Sequence, residues 1–211
     1  MTIELYTWGT PNGKKVSIML EELRLDYVVH PINISKDEQF SPEFLAVAPN
    51  NKIPAILDND NGLSLMESGA ILMYLAQKTG KMLPPPGDDY WRAVEWLMWQ
   101  MGGFGPMLGQ AHHFHRFNAG RYPYPEERYL KETKRLYGVL DRRLDGRDFI
   151  AGEYSVADVA TFPWAARFEW HGIDLDDYGN VKRWYLMLAS RDAVRRGYNV
   201  PTEQEIPMPG N

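Results

Sequence analysis

The chain has 211 residues, 44% of them hydrophobic and 24% charged, with a formal net charge of -5; this suits one large or two compact globular domains and excludes intrinsic disorder. Such mild acidity gives no electrostatic reason to expect nucleic acid or an anionic membrane as a partner, and no apolar run approaches the roughly 20 residues of a bilayer-spanning helix. Cysteine is absent, which excludes a disulfide scaffold, a thiolate metal site and a cysteine nucleophile, so any thiol chemistry must use a sulfur brought by a ligand. The first residues, Met1 to Tyr6, alternate like a strand and lack the basic and apolar regions of a signal peptide. The cytoplasm is the expected compartment.

Ile3-Glu4-Leu5-Tyr6 reads as a short strand, followed by the turn cluster Trp8-Gly9-Thr10-Pro11-Asn12-Gly13. A helical pattern through Val16, Ile18, Met19, Leu20 and Leu23 comes next, then a second strand over Tyr27 to Ile34. Ser41-Pro42-Glu43 places an N-cap before proline at the first helical position and predicts a short helix to about Val47. Ile53 to Leu57 forms a strand whose second residue is proline, which cannot donate to a ladder and belongs at a strand start or edge. Asn59-Asp60-Asn61-Gly62 is a hairpin turn, Leu63-Ser64-Leu65 the returning strand, and Ser68 the cap of a helix through Leu75. The first 79 or so residues therefore run β-α-β-α-β-β-α.

Pro84-Pro85-Pro86-Gly87 is a stiff linker and the best domain boundary. Beyond it only helical patterns appear: Tyr90 to Phe117 with a disturbance at Gly102-Gly103, Pro125 to Leu144, Val156 to Glu169, and Val181 to Ala189. Ser155-Val156-Ala157-Asp158 is a capping box, which makes Asp158 a buried structural residue. After Pro201 an irregular tail is expected. His112 and His115 share a helix face, but no carboxylate stands at matching spacing, so the His112-His113-Phe114-His115 cluster is read as structural or cavity-lining and no metal is expected.

An α/β half, a Pro-rich linker and an all-α half together resemble the cytosolic glutathione transferases over nearly the whole chain. The residues that carry the likeness are Thr10-Pro11-Asn12-Gly13, Gln39-Phe40, Pro49-Asn50-Asn51-Lys52-Ile53-Pro54, Glu67-Ser68-Gly69-Ala70-Ile71 and Ser155-Val156-Ala157-Asp158. With Trp99-Gln100 and Gly105-Pro106-Met107-Leu108-Gly109-Gln110, the chain looks closest to the bacterial Nu-class branch, which is related to the yeast prion-forming nitrogen regulator. The resemblance implies a thioredoxin-like glutathione-binding domain over 1–80, a linker over 81–89 and an all-helical bundle domain over 90–211. It also implies a homodimer, with glutathione as co-substrate and oxidised glutathione as a further ligand.

The same resemblance assigns candidate residues, each with a plainer alternative beside it. Glu67 and Ser68 stand at a strand-to-helix junction, where the helix dipole favours an anion; Ser68 suits the α-carboxylate of the γ-glutamyl group and Glu67 its ammonium, or the pair merely caps the helix. Ile53 precedes a family cis-proline and offers its backbone to the cysteinyl residue, or Pro54 is an ordinary trans residue opening a strand. Gln39 and Lys52 suit the glycyl end, and Lys52 equally suits a solvated surface. Arg128 matches an arginine that the branch uses at the glutathione site, in its own subunit or across a dimer, or it is a helix-face charge. Trp99 and Phe104 could line the substrate pocket.

At the catalytic position the chain offers Thr10, with a hydroxyl, and Asn12, with an amide, beside a helix N-terminus that lowers thiol pKa. Tyr6 lies inside the strand, too early for that role. Weak hydrogen bonding to sulfur favours disulfide exchange, in which a thiolate displaces another thiolate. A glutathione-dependent disulfide reductase is the leading reading. Conjugation of electrophiles and a non-catalytic glutathione-binding regulator are the alternatives, and a peroxidase or dehalogenase has no supporting residue.

Overall fold

A computed structural model describes residues 2–210; Met1 and Asn211 lie outside the described residues. The chain divides into two compact units. Residues up to Leu83, together with Ser190–Ile206, form the first, and Pro84–Ala189 with the last residues from Pro207 form the second.

The first unit is built on four strands: β1 (Thr2–Thr7), β2 (Asp26–Pro31), β3 (Ala55–Asp58) and β4 (Leu63–Met66), in the order β2-β1-β3-β4. β1 and β2 pair in parallel, whereas β1–β3 and β3–β4 are antiparallel. The alternation read in β1 is real: Ile3, Leu5 and Thr7 are buried and the intervening residues are half-exposed. Three helices flank the sheet, α1 (Pro11–Leu23), α2 (Pro42–Val47) and α3 (Ser68–Thr79). Val16, Met19, Leu20, Ile71, Leu72 and Leu75 are completely buried. Phe44, Ala48 and Ala55 form a separate cluster with Tyr6, Ile32, Val47, Ile53 and Met66 packed against it.

Three expectations in this unit shift. β2 ends at Pro31 rather than Ile34, because the Asn33 side chain accepts from Ser35 N and turns the chain into a 3-10 helix over Ile34–Lys36. β3 begins at Ala55, after a cis Ile53–Pro54 peptide and a residue with no N–H to offer the ladder. The stretch 190–200, where no element is expected, holds a helix over Asp192–Tyr198 (here α9) packed on α1. Contacts therefore join this segment to the first unit, although the sequence reading places it in the helical half.

In the second unit the helical run begins with α4 (Asp88–Trp99), widens to a π-helical turn over Gln100–Phe104, continues as α5 (Gly105–Ala111) and widens again over His112–Phe117. The expected disturbance at Gly102-Gly103 is the first of these turns. Pro106 lacks the N–H that would bond the Gly102 carbonyl, so the ladder slips a residue there. α6 (Pro123–Arg143), α7 (Val156–Ala165) and α8 (Gly179–Ala189) complete the unit. Asp158 is fully buried and accepts from the backbone N–H of Ile150 and Ser155 and from Trp184 Nε1, completing the capping box. No helix among the described residues is long and apolar enough to cross a membrane.

Candidate active site

Strand register brings the candidates of the first unit to one edge of the sheet. Thr7 pairs with Pro31, Tyr6 with Ala55, and Ala55 with Met66. The C-terminal ends of β1, β2 and β4 and the start of β3 thus share an edge. The chain leaves that edge toward Thr10, Gln39 and Glu67, and enters it through Lys52 and Ile53.

Thr10 is the N-cap of α1, with extended backbone, and its Oγ1 accepts the Gly13 N–H at 3.2 Å. The cap uses the oxygen as acceptor and leaves the hydroxyl proton to be donated elsewhere. Pro11 fills the first helical position and Asn12 the second. The turn is tight enough to require glycine at 13, since a Cβ there would lie 2.2 Å from the Trp8 carbonyl oxygen and 2.4 Å from Thr7 Oγ1. Tyr6 sits in β1 and stacks on His30 with ring centroids 4.7 Å apart, so it serves packing.

Glu67 and Ser68 open α3, with the order of roles shifted from the expected one. Glu67 occupies the N-cap position at φ 71°, makes no side-chain cap bond and is exposed, whereas Ser68 is the first helical residue and is buried. Beneath them lies Lys15, which sequence reasoning missed. It is buried, and its Nζ donates to Ser68 Oγ at 3.3 Å. Burial pushes its pKa down to about 7, against the pull of the Glu67 carboxylate. One signal could have found it: Lys14 and Lys15 stand in the first turns of α1, where the helix dipole disfavours cations, so they need partners. Lys14 is also buried, donating to the Tyr198 carbonyl with its ammonium 3.9 Å from the Tyr198 ring centroid.

Ile53 is half-buried, cis to Pro54, and packs on the Phe44 cluster, while Lys52 is exposed. Gln39 lies in a 3-10 turn over Glu38–Phe40; its Nε2 donates to Asp37 at 3.4 Å and its buried Oε1 has no partner among the described residues.

The second unit carries the other candidates. Trp99 and Phe104 stack at 5.0 Å, but Phe104 has no exposed surface and packs on Tyr137, so it belongs to the interior and only Trp99 keeps an accessible edge. Arg128 is exposed on α6 and lines a cleft of about 600 Å³ with Tyr124, Glu127, Lys131, Glu132 and Arg135. His112 stacks on His171 at 4.6 Å, and His115 Nδ1 pairs with Glu126 at 3.0 Å. Burial, with help from Arg167, pushes the His112 pKa down to about 4.

Comparison with known proteins matches both halves. Residues 1–77 match the glutathione S-transferase N-terminal domain and residues 109–192 the glutathione S-transferase C-terminal domain. The disulfide-bond oxidoreductase YfcG of Escherichia coli is 49% identical over 198 residues, covering 91% of this chain and 92% of that protein. A glutathione transferase from Pseudomonas putida, solved with one glutathione disulfide bound per subunit, has a TM-score of 0.90 at 47% identity, covering 95% of this chain and 92% of its own. Another from Burkholderia graminis, solved with two glutathione molecules per subunit, has a TM-score of 0.90 at 45% identity, covering 96% and 90%. By sequence over both domains, and by the thioredoxin-like sheet followed by a helical bundle, the chain belongs to the glutathione S-transferase family.

Proposed function

We propose that this protein is a glutathione-dependent disulfide-bond reductase. The observation that carries the reading is the Thr10 cap: a hydroxyl donor and an amide side chain at the N-terminus of α1, with no cysteine anywhere in the 211 residues. Such a site favours a thiolate without supplying one. The thiolate of bound glutathione attacks a substrate disulfide, forming a mixed disulfide and expelling the other sulfur as a thiolate that takes up a proton. A second glutathione thiolate then attacks the mixed disulfide, giving glutathione disulfide and the second reduced thiol. Two glutathiones are oxidised for each disulfide reduced.

Within this reading Thr10 and Asn12 hold the sulfur, Ile53 pairs with the cysteinyl backbone, and Glu67 and Ser68 take the γ-glutamyl end. Gln39 and Lys52 take the glycyl end. Arg128 reaches the ligand, within its own subunit or across a homodimer, and its position lining a cleft on α6 leaves it accessible for that role. Trp99 borders the substrate pocket. Names of relatives with this activity, and neighbours solved with glutathione or its disulfide, support the reading. Chemistry that consumes reduced glutathione belongs in a reducing compartment, and we place the protein in the cytoplasm on that ground.

The test is reduction of bis(2-hydroxyethyl) disulfide by glutathione, followed through the glutathione disulfide formed. A rate well above the uncatalysed exchange is expected. A rate equal to background overturns the reductase reading.

A further inference from the structure

We propose that Lys15 is a positioning residue of the glutathione site, fixing Ser68 as a hydrogen-bond donor to the ligand's α-carboxylate. The inference rests on the glutathione reading above and adds a residue to it. An ammonium has three donors and no acceptor. With Lys15 Nζ at 3.3 Å from Ser68 Oγ, the serine oxygen is the acceptor and its proton is turned away from Lys15. Ser68 is the first residue of α3, so that proton, the positive end of the helix dipole and the Lys15 charge all favour an anion at the same place. The exposed Glu67 carboxylate beside it suits the ammonium of the same γ-glutamyl head.

Neutral Lys15 reverses the arrangement. Its amine becomes an acceptor, can draw the Ser68 proton back, and removes the positive charge beneath the carboxylate. Carboxylate binding therefore favours the charged lysine and takes up a proton, and affinity falls as pH rises past neutrality. Among the charged groups around it, the Glu67 carboxylate favours the charged form of Lys15. On α9, Arg191 and Arg196 pair with Glu22 and Glu21 of α1; Lys14 turns to Tyr198; and on α3 Lys78 pairs with Asp58 and Asp60.

The experiment is calorimetric titration with S-methylglutathione, whose blocked thiol cannot titrate, and with the same tripeptide in which 4-aminobutanoate replaces the γ-glutamyl group and removes the α-carboxylate. Lys15→Met is expected to lose about tenfold or more in affinity for S-methylglutathione and less than about twofold for the analogue. Equal losses for both ligands, or no loss, overturn the proposal. Should Lys15→Met fail to fold, the wild-type protein decides. Titrations between pH 6 and 8 in two buffers of different ionisation enthalpy are expected to show net proton uptake and weakening affinity with rising pH; a flat affinity with no uptake overturns the role of Lys15. A wild-type protein that binds neither ligand overturns the glutathione reading itself.

Discussion

Gly197 of α9 lies directly against the backbone of Ile18 in α1: a Cβ at 197 would sit 2.5 Å from both Ile18 N and Ile18 Cα. Ser17 Oγ donates to the Gly197 carbonyl at 2.6 Å beside this contact, and Arg191 grips Glu22 at 2.8 and 2.9 Å. The helix that carries Thr10, Asn12 and Lys15 is thereby held by a segment nearly 180 residues away. Helix propensity favours alanine over glycine by about 1 kcal/mol, yet overlap with backbone cannot be relieved by a rotamer change. Gly197→Ala is expected to destabilise the protein by about 1–3 kcal/mol, read as a lowered urea midpoint; an unchanged or raised midpoint would show that α9 is not seated on α1.

Thr10 has two tasks, and substitutions separate them. Thr10→Ala removes the cap, at a cost of about 1 kcal/mol, together with the donor to sulfur. A hydrogen bond to a charged acceptor is worth about 1.5–3 kcal/mol, so disulfide-reduction turnover should fall about tenfold or more. Thr10→Ser keeps both functions and should stay within about threefold of wild type, a change below 1 kcal/mol. Asn12→Ala is expected to slow turnover and also raise the KM for glutathione. Wild-type turnover in Thr10→Ala sinks the catalytic assignment.

Stability should fall with acid, through the buried imidazole pair. His112 is held at about pKa 4 and His171 well below its ordinary value, in both cases chiefly by burial. Unfolding frees these rings to bind protons below about pH 6.5. The unfolded chain therefore binds more protons between pH 6.5 and 4, and stability drops as pH falls through that window. Asp158 opposes this. Burial raises its pKa to about 6 despite four hydrogen bonds, so its own contribution weakens the fold as pH rises from about 4 to 6. His112→Phe should flatten the loss between pH 6.5 and 4.5 in urea titrations, and a slope identical to wild type removes His112 as the cause.

Asp158 itself is a folding determinant. Oδ1 accepts from Ile150 N and Trp184 Nε1, both at 2.9 Å, and Oδ2 accepts from Ser155 N at 3.1 Å. Asp158→Ala strands three buried donors, each at about 1–3 kcal/mol, and is expected to abolish or severely weaken folding. Asp158→Asn keeps one oxygen and should retain part of the stability. Thermal unfolding measures the loss, while kcat of the folded protein should not move because Asp158 touches no reacting group.

Much of the candidate site was legible because its signals are local. Thr10-Pro11 and Ser41-Pro42 announce helix starts through the chemistry of caps and proline, and both helices begin at the proline. Ser155 and Asp158 form their capping box within one turn. Lys15 was hidden because its partner is 53 residues away and its meaning depends on burial. Ser68 signals a cap in the sequence, yet Glu67 holds the N-cap position at φ 71° and Ser68 becomes the first helical residue, a backbone conformation that no local residue pattern announces. Phe104 and Trp99 stand together in the sequence as pocket candidates, yet only packing against Tyr137 shows which ring is enclosed.

By itself the sequence determined the two-domain plan, the β-α-β-α-β-β-α order and the absence of a protein thiol, because turn residues, hydrophobic period and cysteine count act within a few residues of chain; the resemblance of its motifs to the glutathione transferases supplied the family. Only the tertiary structure decided that the sheet edge gathers Thr10, Ile53, Glu67 and Ser68, that α9 returns to α1, and that a lysine lies buried beneath Ser68. Strand register and burial are set by contacts between distant segments, and no local pattern carries them.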